Sequence, residues 1–317
     1  MSEAPPVRII LDAGIDKGLY NQLRSFMSHQ RVSFSMNFER VATLEDFQCP
    51  TDVKISRKHQ LIIVSGGKNK IFFFDLKTKQ FKQAFSCIFV SGQSTERCAP
   101  EFLCVEENYD GLGNEALIFT TQIHNVRKFD LASLLNGSNK LIWESGERIV
   151  SYYGSQSTGD NFNNFYRPKG PVIIENFHYS SDEFTSDPHA HYLLVCDSKN
   201  KALKVLNPSN GQVLAIIYNE YLTCCAMNSK FQLILPSGLP DAQTSYCAMV
   251  IDRTNDRIIA SEEFSHTVRV FTAEGELLKQ FGGLGDTLSS PKGLALDEQS
   301  GELFVVDCNN HRVLVFK

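Results

Sequence analysis

Ten residues of this chain recur five times, and that recurrence limits the fold more than any other feature does. Residues 307–316 read DCNNHRVLVF, and residues 262–271 (EEFSHTVRVF) lie on them without a gap. Residues 65–74, 120–129 and 197–206 fit the same ten columns. The last columns fall at positions 74, 129, 206, 271 and 316, so the spacings are 55, 77, 65 and 45 residues. Self-similarity at such periods is the mark of a repeat architecture, and the shortest spacing is close to that of a four-stranded propeller blade. The longer spacings imply inserted loops.

Each copy reads as short strands with polar turns. Around the last one, 293–297, 302–307 and 312–316 are rich in Val, Leu and Phe, while the gaps hold Ser, Gly and Asn. β-branched and aromatic residues suit a pleated surface, and Gly, Asn and Ser suit turn dihedrals. The expected fold is therefore all-β, a propeller with five recognisable blades. A sixth, degenerate blade would have to come from residues 1–37 or from the insertion 218–245. The domain reading is 1–37 as an N-terminal extension or degenerate blade and 38–317 as the propeller.

The run SPKGLALD…GELFVVDCNNHRVLVF resembles the NHL repeat, with Asn310-His311-Arg312 in the signature column. The match is strong over 277–317 and weaker over 246–281 and the three upstream copies. Two glycine-rich lead-ins, at 153–160 and 281–286, have the same look. NHL propellers found beside RING and B-box modules, as in tripartite-motif proteins, recognise substrates or RNA for ubiquitin ligases. The resemblance covers the propeller alone, since no paired CxxC zinc pattern is present.

Residues 38–44 look like an outer strand with no blade before them, whereas the copy at 291–317 has three strands and lacks its fourth. An open blade edge leaves backbone donors and acceptors unpaired. The economical expectation is that 38–44 completes the last blade and closes the ring. Residues 19–27 have helical spacing and 31–35 could be a strand.

Antiparallel alternation puts every turn between the second and third strands on one face, beside the blade-to-blade connections. That face is expected to collect Lys68, Asn69, His124, Arg127, Lys199, Lys201, His266, Asn309, Asn310 and His311. These are the candidate binding residues, because loops carry function more often than scaffold strands do. The three histidines read equally as turn residues bonded to their own backbone. Asp307 and Arg312 face each other across neighbouring strands and read as a structural ion pair. Asp197 with Lys199 or Lys201 is a weaker echo.

No GxSxG elbow, P-loop or dinucleotide fingerprint occurs. Six-bladed hydrolases and a peptide-amidating lyase resemble NHL propellers and hold a metal with inner-strand residues. The inner strands here supply no His and almost no carboxylate, so no enzyme, cofactor or metal site is expected. Asp187, His189 and His191 form the one conceivable metal group, in a segment (175–190) better read as a solvated acidic loop. No apolar run reaches ~20 residues, so no membrane span is expected. The first residues lack a basic start with a long apolar core, and the nine cysteines show no paired spacing. Both point to a reducing, cytoplasmic setting.

The functional expectation is a non-enzymatic platform for macromolecules. A protein partner ranks first and single-stranded RNA on a basic face second. The net charge of -5 counts against RNA, because nucleic-acid affinity rests on neutralising phosphates. A metal-dependent lyase or hydrolase ranks third. Elemental analysis of purified protein is expected to find no stoichiometric zinc or calcium, and stoichiometric metal would restore that third reading.

Overall fold

The structure is a computed structural model. It describes residues 31–317 except 68, 92–93, 98, 123, 147–163, 176–190, 219–222, 228–232, 235–238, 240–245 and 284–287. Five four-stranded antiparallel sheets stand around a central channel. Blade one is β2 (Asp52–Ser56), β3 (Leu61–Gly66), β4 (Lys70–Asp75) and β5 (Phe81–Ser86). A two-stranded sheet follows, of β6 (Ile88–Ser91) and β7 (Ser94–Arg97). Blade two is β8 (Pro100–Glu106), β9 (Ala116–Thr121), β10 (Val126–Asp130) and β11 (Leu141–Ser145). Blade three is β12 (Pro168–Glu175), β13 (His191–Asp197), β14 (Ala202–Leu206) and β15 (Val213–Tyr218). A second two-stranded sheet, β16 (Ala226–Met227) with β17 (Leu233–Ile234), comes next. Blade four is β18 (Tyr246–Asp252), β19 (Arg257–Glu262), β20 (Thr267–Phe271) and β21 (Leu277–Gly282). Blade five is β22 (Pro291–Asp297), β23 (Glu302–Asp307) and β24 (Arg312–Phe316), with β1 (Arg40–Leu44) as its outer strand.

The ring closes through that last pairing, as the unmatched strands imply. Thr43 lies opposite Leu314 and Leu44 opposite Val313. Two residues before the strand, Phe38 stacks on Phe281 at 4.7 Å and meets Phe316 edge-on at 5.6 Å. Residues 31–38 form no strand. They run over the turns of blades four and five, where Val32 N–H donates to the Glu298 carbonyl (2.7 Å) and Phe34 N–H to the Asp252 carboxylate (3.2 Å). Phe34 and Phe38 enter the core between those blades, beside Ile259, Leu294 and Phe316. The helix suggested over 19–27 lies outside the described residues.

Alternation in each strand sends one set of side chains to each neighbouring blade. Separate apolar cores result. Phe47, Val53, Phe72 and Phe304 join blades five and one; Ile63, Phe73, Leu103 and Phe119 join one and two. Trp143, Phe165, Leu193 and Leu206 join two and three. Between blades three and four there are two cores. Cys225 and Leu233 pack on blade three with Cys196 and Leu203, while Cys224, Ala226 and Ile234 pack on blade four with Tyr246 and Ile258. The β16–β17 sheet thus occupies a blade's place with half a blade's strands. The insertion 218–245 supplies the rudiment of a sixth blade, and five blades are complete.

Two elements were not anticipated. The β6–β7 sheet accounts for part of the 55-residue spacing after blade one. A helical turn, α1 (Leu131–Leu135), follows β10, where the Asp130 carboxylate accepts from Ser133 N–H at 2.7 Å as an N-cap.

Deleting residues 1–45 is expected to expose the β24 edge and leave a chain that aggregates or melts far lower. Phe38→Ala alone should cost about 3–5 kcal/mol, the usual range for emptying a packed aromatic site. Phe81→Ala, on an exposed outer-strand position, should cost well under 1 kcal/mol. Urea unfolding of the three proteins decides this. A truncated chain that unfolds like the full one would break the closure.

Candidate binding face and central channel

The face that carries the turns between second and third strands is built around one repeated device. The fifth of the ten repeat columns holds Asn69, His124, Lys201, His266 and His311. All five have positive φ, between 52° and 69°. The left-handed turn residue costs about 1 kcal/mol or more for any residue but glycine. Here it aims three imidazoles across a blade boundary. His124 Nδ1 accepts from Arg167 N–H at 3.2 Å, His266 Nδ1 from Ser290 N–H at 2.8 Å, and His311 Nδ1 from Cys49 N–H at 3.0 Å. Arg167, Ser290 and Cys49 each precede the proline (Pro168, Pro291, Pro50) that leads into the inner strand of the next blade. They too have positive φ. The histidines therefore bond the following blade's backbone and not their own.

The first repeat column holds the same lead-in from the other side. Asp197 Oδ1 accepts from Tyr166 N–H at 2.6 Å, and Asp307 Oδ1 from Ser289 N–H at 2.6 Å. Each acid also has a cationic partner. Arg312 Nε lies 2.8 Å from Asp307 Oδ2, the expected ion pair, and Lys204 Nζ lies 3.0 Å from Asp197 Oδ2. The Asp197 pairing goes to Lys204 and not to Lys199 or Lys201.

Two expectations about the basic residues change as a result. Arg127 is only 4% exposed and pairs with Glu144 at 3.1 Å, so it is no part of a binding face. Lys128, paired with Glu106 at 2.6 Å, and Lys204 are buried as well. These side chains point into the inter-blade cores, and a buried charge persists only when paired. Alternating strands hide this from the sequence, because a lysine's long stem packs like a hydrophobe. Lys68 lies outside the described residues, as do Asp187 and His189; His191 is exposed at the start of β13. Lys199, Lys201, Asn309, Asn310 and His311 are exposed on the face, and Asn69, His124 and His266 are half-buried.

Aromatic side chains that sequence reasoning passed over also stand on this face. Phe264, at the tip of the blade-four turn, is 76% exposed; Tyr218, at the end of β15, is 69%; Tyr166 is 41%. Phe264 occupies the third repeat column, with Lys199 and Asn309 in the equivalent places, and that tip position is the one signal that could have found it.

The inner strands line a channel with a cavity of about 360 Å³. Its wall is mixed: Phe102, Val172, Met249 and Leu294 stand beside Asp52, Lys54, Arg57 and Glu107, and it includes the thiols of Cys104, Cys224, Cys225 and Cys247. Burial pushes Cys104 and Cys247 up to about 12 and raises Cys224 as well. These thiols stay protonated at neutral pH, which makes them poor nucleophiles and poor metal ligands. Asp52 is also buried there and tied to its neighbours: it accepts from Leu103 N–H of blade two (2.8 Å) and from Lys54 Nζ (2.7 Å). Gly293 of blade five packs against Asp52 so closely that a Cβ would collide with it. At the mouth on the turn face stand Glu101, Lys169 and Lys292. Burial raises Glu101 above the usual carboxylate range, although Lys169, Lys292 and Arg167 pull it down. No group of three or more His, Cys, Asp or Glu among the described residues is arranged to hold a metal.

Ring, blades and latched turns define a β-propeller. Its last blade is an NHL repeat: residues 288–316 match the NHL repeat family. Among solved structures the chain is similar to the β-propeller domain of Cps50 (Swd1) from Myceliophteria thermophila. That likeness has a TM-score of 0.53 and 12% identity, and covers 87% of this chain and 98% of that one. At that identity it is a likeness of fold. No curated protein matches the chain.

The His124 latch should titrate. Burial, with help from Arg167, lowers the His124 value from 6.5. The unfolded chain then takes up its proton first as pH falls, so the latch's contribution is complete above pH 6.5 and drains away below it. Wild type should lose more stability than His124→Asn between pH ~7.5 and ~5.5, since Asn tolerates the left-handed turn and cannot titrate. His266→Ala should cost about 1–3 kcal/mol, because it strands the N–H of the buried Ser290. His311→Ala, whose partner is exposed, should cost less. Equal costs, or equal pH slopes, would show that the latches do not bear load.

Proposed function

We propose that the propeller is a protein-binding module that uses the latched turn face. The observation that carries this reading is Phe264, Tyr218 and Tyr166 held in solvent on the turns and strand ends of one face. Exposed aromatic side chains on a rigid frame bring a large apolar payload at low entropic cost, which is why Tyr and Phe are enriched in interface centres. Of the four Lys and Arg residues expected on the face, Arg127 is consumed in an internal ion pair, which weakens the RNA reading further than net charge alone does.

The module works as a scaffold and not as an enzyme. Its channel thiols are held protonated and its buried carboxylate Asp52 is spent on backbone donors. The eight described cysteines are all free thiols, in keeping with a reducing, cytoplasmic compartment. Among the described residues no helix is long and apolar enough to cross a membrane. A connection to ubiquitin ligases would come through a partner chain, and its support is the NHL resemblance.

The test is affinity capture from lysate after ribonuclease treatment, with wild type beside Tyr218→Ala/Phe264→Ala. Wild type should retain protein partners that the double variant loses at unchanged melting temperature. Loss of all partners on nuclease treatment would favour RNA. Retention by the double variant would move the interface to another face.

A further inference from the structure

We propose that the partner segment is an extended acidic peptide, lying along a radial row of cations from the blade-three turn to the channel mouth. The proposal rests on the protein-binding reading and names the chemistry of its partner. The row begins with Lys199 in the turn between β13 and β14. Arg167 comes next, and its place is fixed: the Ser198 hydroxyl donates to the Arg167 carbonyl at 2.8 Å, and Lys199 N–H to the Tyr166 carbonyl at 3.2 Å. Two residues on, Lys169 enters the channel wall with its Nζ 5.8 Å from the centre of the Phe102 ring. Lys292 completes the row from blade five.

Charge argues for an acidic occupant. The chain carries a net charge of -5, yet this strip holds four cations. Among the described residues two carboxylates face them, Glu101 and Glu263. Glu263 is already engaged: it lies 3.6 Å from Lys292 and accepts from the Ser290 hydroxyl (3.0 Å) and the Cys247 thiol (3.3 Å). The strip is therefore net positive in a protein that is net negative, and it would attract acidic segments while the rest of the surface repels them. Aromatic residues flank it, Tyr166 beside Arg167 and Phe264 beyond Lys292. A peptide that alternates acidic and apolar side chains would satisfy both edges, because alternate residues of an extended chain point to opposite sides.

The probe is a short, end-blocked, fluorescein-labelled peptide of alternating Glu and Phe, followed by fluorescence anisotropy. The same peptide with Lys for Glu, and an oligouridylate, serve as competitors. The acidic peptide should bind, should weaken with added salt, and should lose about tenfold or more in affinity to Arg167→Glu/Lys199→Glu. Both residues are exposed, and the variant's melting curve checks its fold. Lys77→Glu/Lys279→Glu makes the same charge change at exposed sites off this face and should leave binding intact. Binding no better than that of the Lys peptide, or equal loss in the control variant, would overturn the proposal. Partner capture dependent on Phe264 would still leave the protein-binding reading standing. If oligouridylate displaces the peptide through the same residues, the occupant is a nucleic acid and the proposal falls.

Discussion

The structure depends on how each blade is fastened to the next at its innermost strand. A propeller's apolar cores attract blades to one another but do not set their angle, since the hydrophobic effect has no direction. Direction comes from hydrogen bonds. At blades three and five the two residues before the inner strand are gripped twice, by the acid of their own blade and by the histidine of the preceding one. Asp197 and His124 hold Tyr166-Arg167; Asp307 and His266 hold Ser289-Ser290. The proline that follows cannot donate a hydrogen bond and has a fixed φ. It therefore leads into the strand along one path, and the channel wall is positioned as a consequence.

Much of this was legible because the device is periodic. The ten columns recur with an acid or hydroxyl residue first, the left-handed residue fifth and the aromatic or leucine last, and periodicity survives insertions of any length. Ring closure was legible for a different reason: a three-stranded end and an unmatched strand leave one economical pairing. The half-blade was legible only as one of two places for a degenerate blade, the insertion 218–245, since Ala226–Met227 and Leu233–Ile234 are two-residue strands with no alternation to read. Arg127 failed as a face residue for a physical reason, and Lys128 and Lys204 are hidden in the same way. A charged residue on a strand between two polar turns looks exposed, and only the register shows that its face is inward and that Glu144, Glu106 or Asp197 waits there.

The buried pairs have a structural price that clarifies their placement. Removing a charge from water costs several kcal/mol, and a partner returns most of it only with good geometry. Such pairs stabilise little in net terms, but they penalise any arrangement that separates them. Asp197 shows this well. Its carboxylate meets the Tyr166 N–H, the Asn200 amide and Lys204 Nζ, three donors from three chain segments. A slip of one residue in β14 would turn Lys204 outward and leave the acid buried alone. The pairs therefore act on register, which a row of Val and Leu cannot specify by itself.

The same economy decides where recognition can reside. Within the turn, the first column is spent on the lead-in and the fifth on the latch, so changing either would loosen a blade. Column three serves through its backbone, as where Lys199 and Asn309 N–H donate to the Tyr166 and Ser289 carbonyls, which leaves the side chain outside the fastening in blades three, four and five. The column holds Phe264 in blade four, Lys199 in blade three and Asn309 in blade five, three different chemistries at one geometric position, all exposed. A side chain free of folding work can vary without cost to the ring, and an array of such positions, held at fixed spacing by residues that cannot vary, is a means of reading a partner. Blade-four and blade-three tips differ most in character, apolar against cationic. They also flank the half-blade, where the ring has its shortest strands. A partner bound across those two blades would bridge the half-blade and brace the ring there.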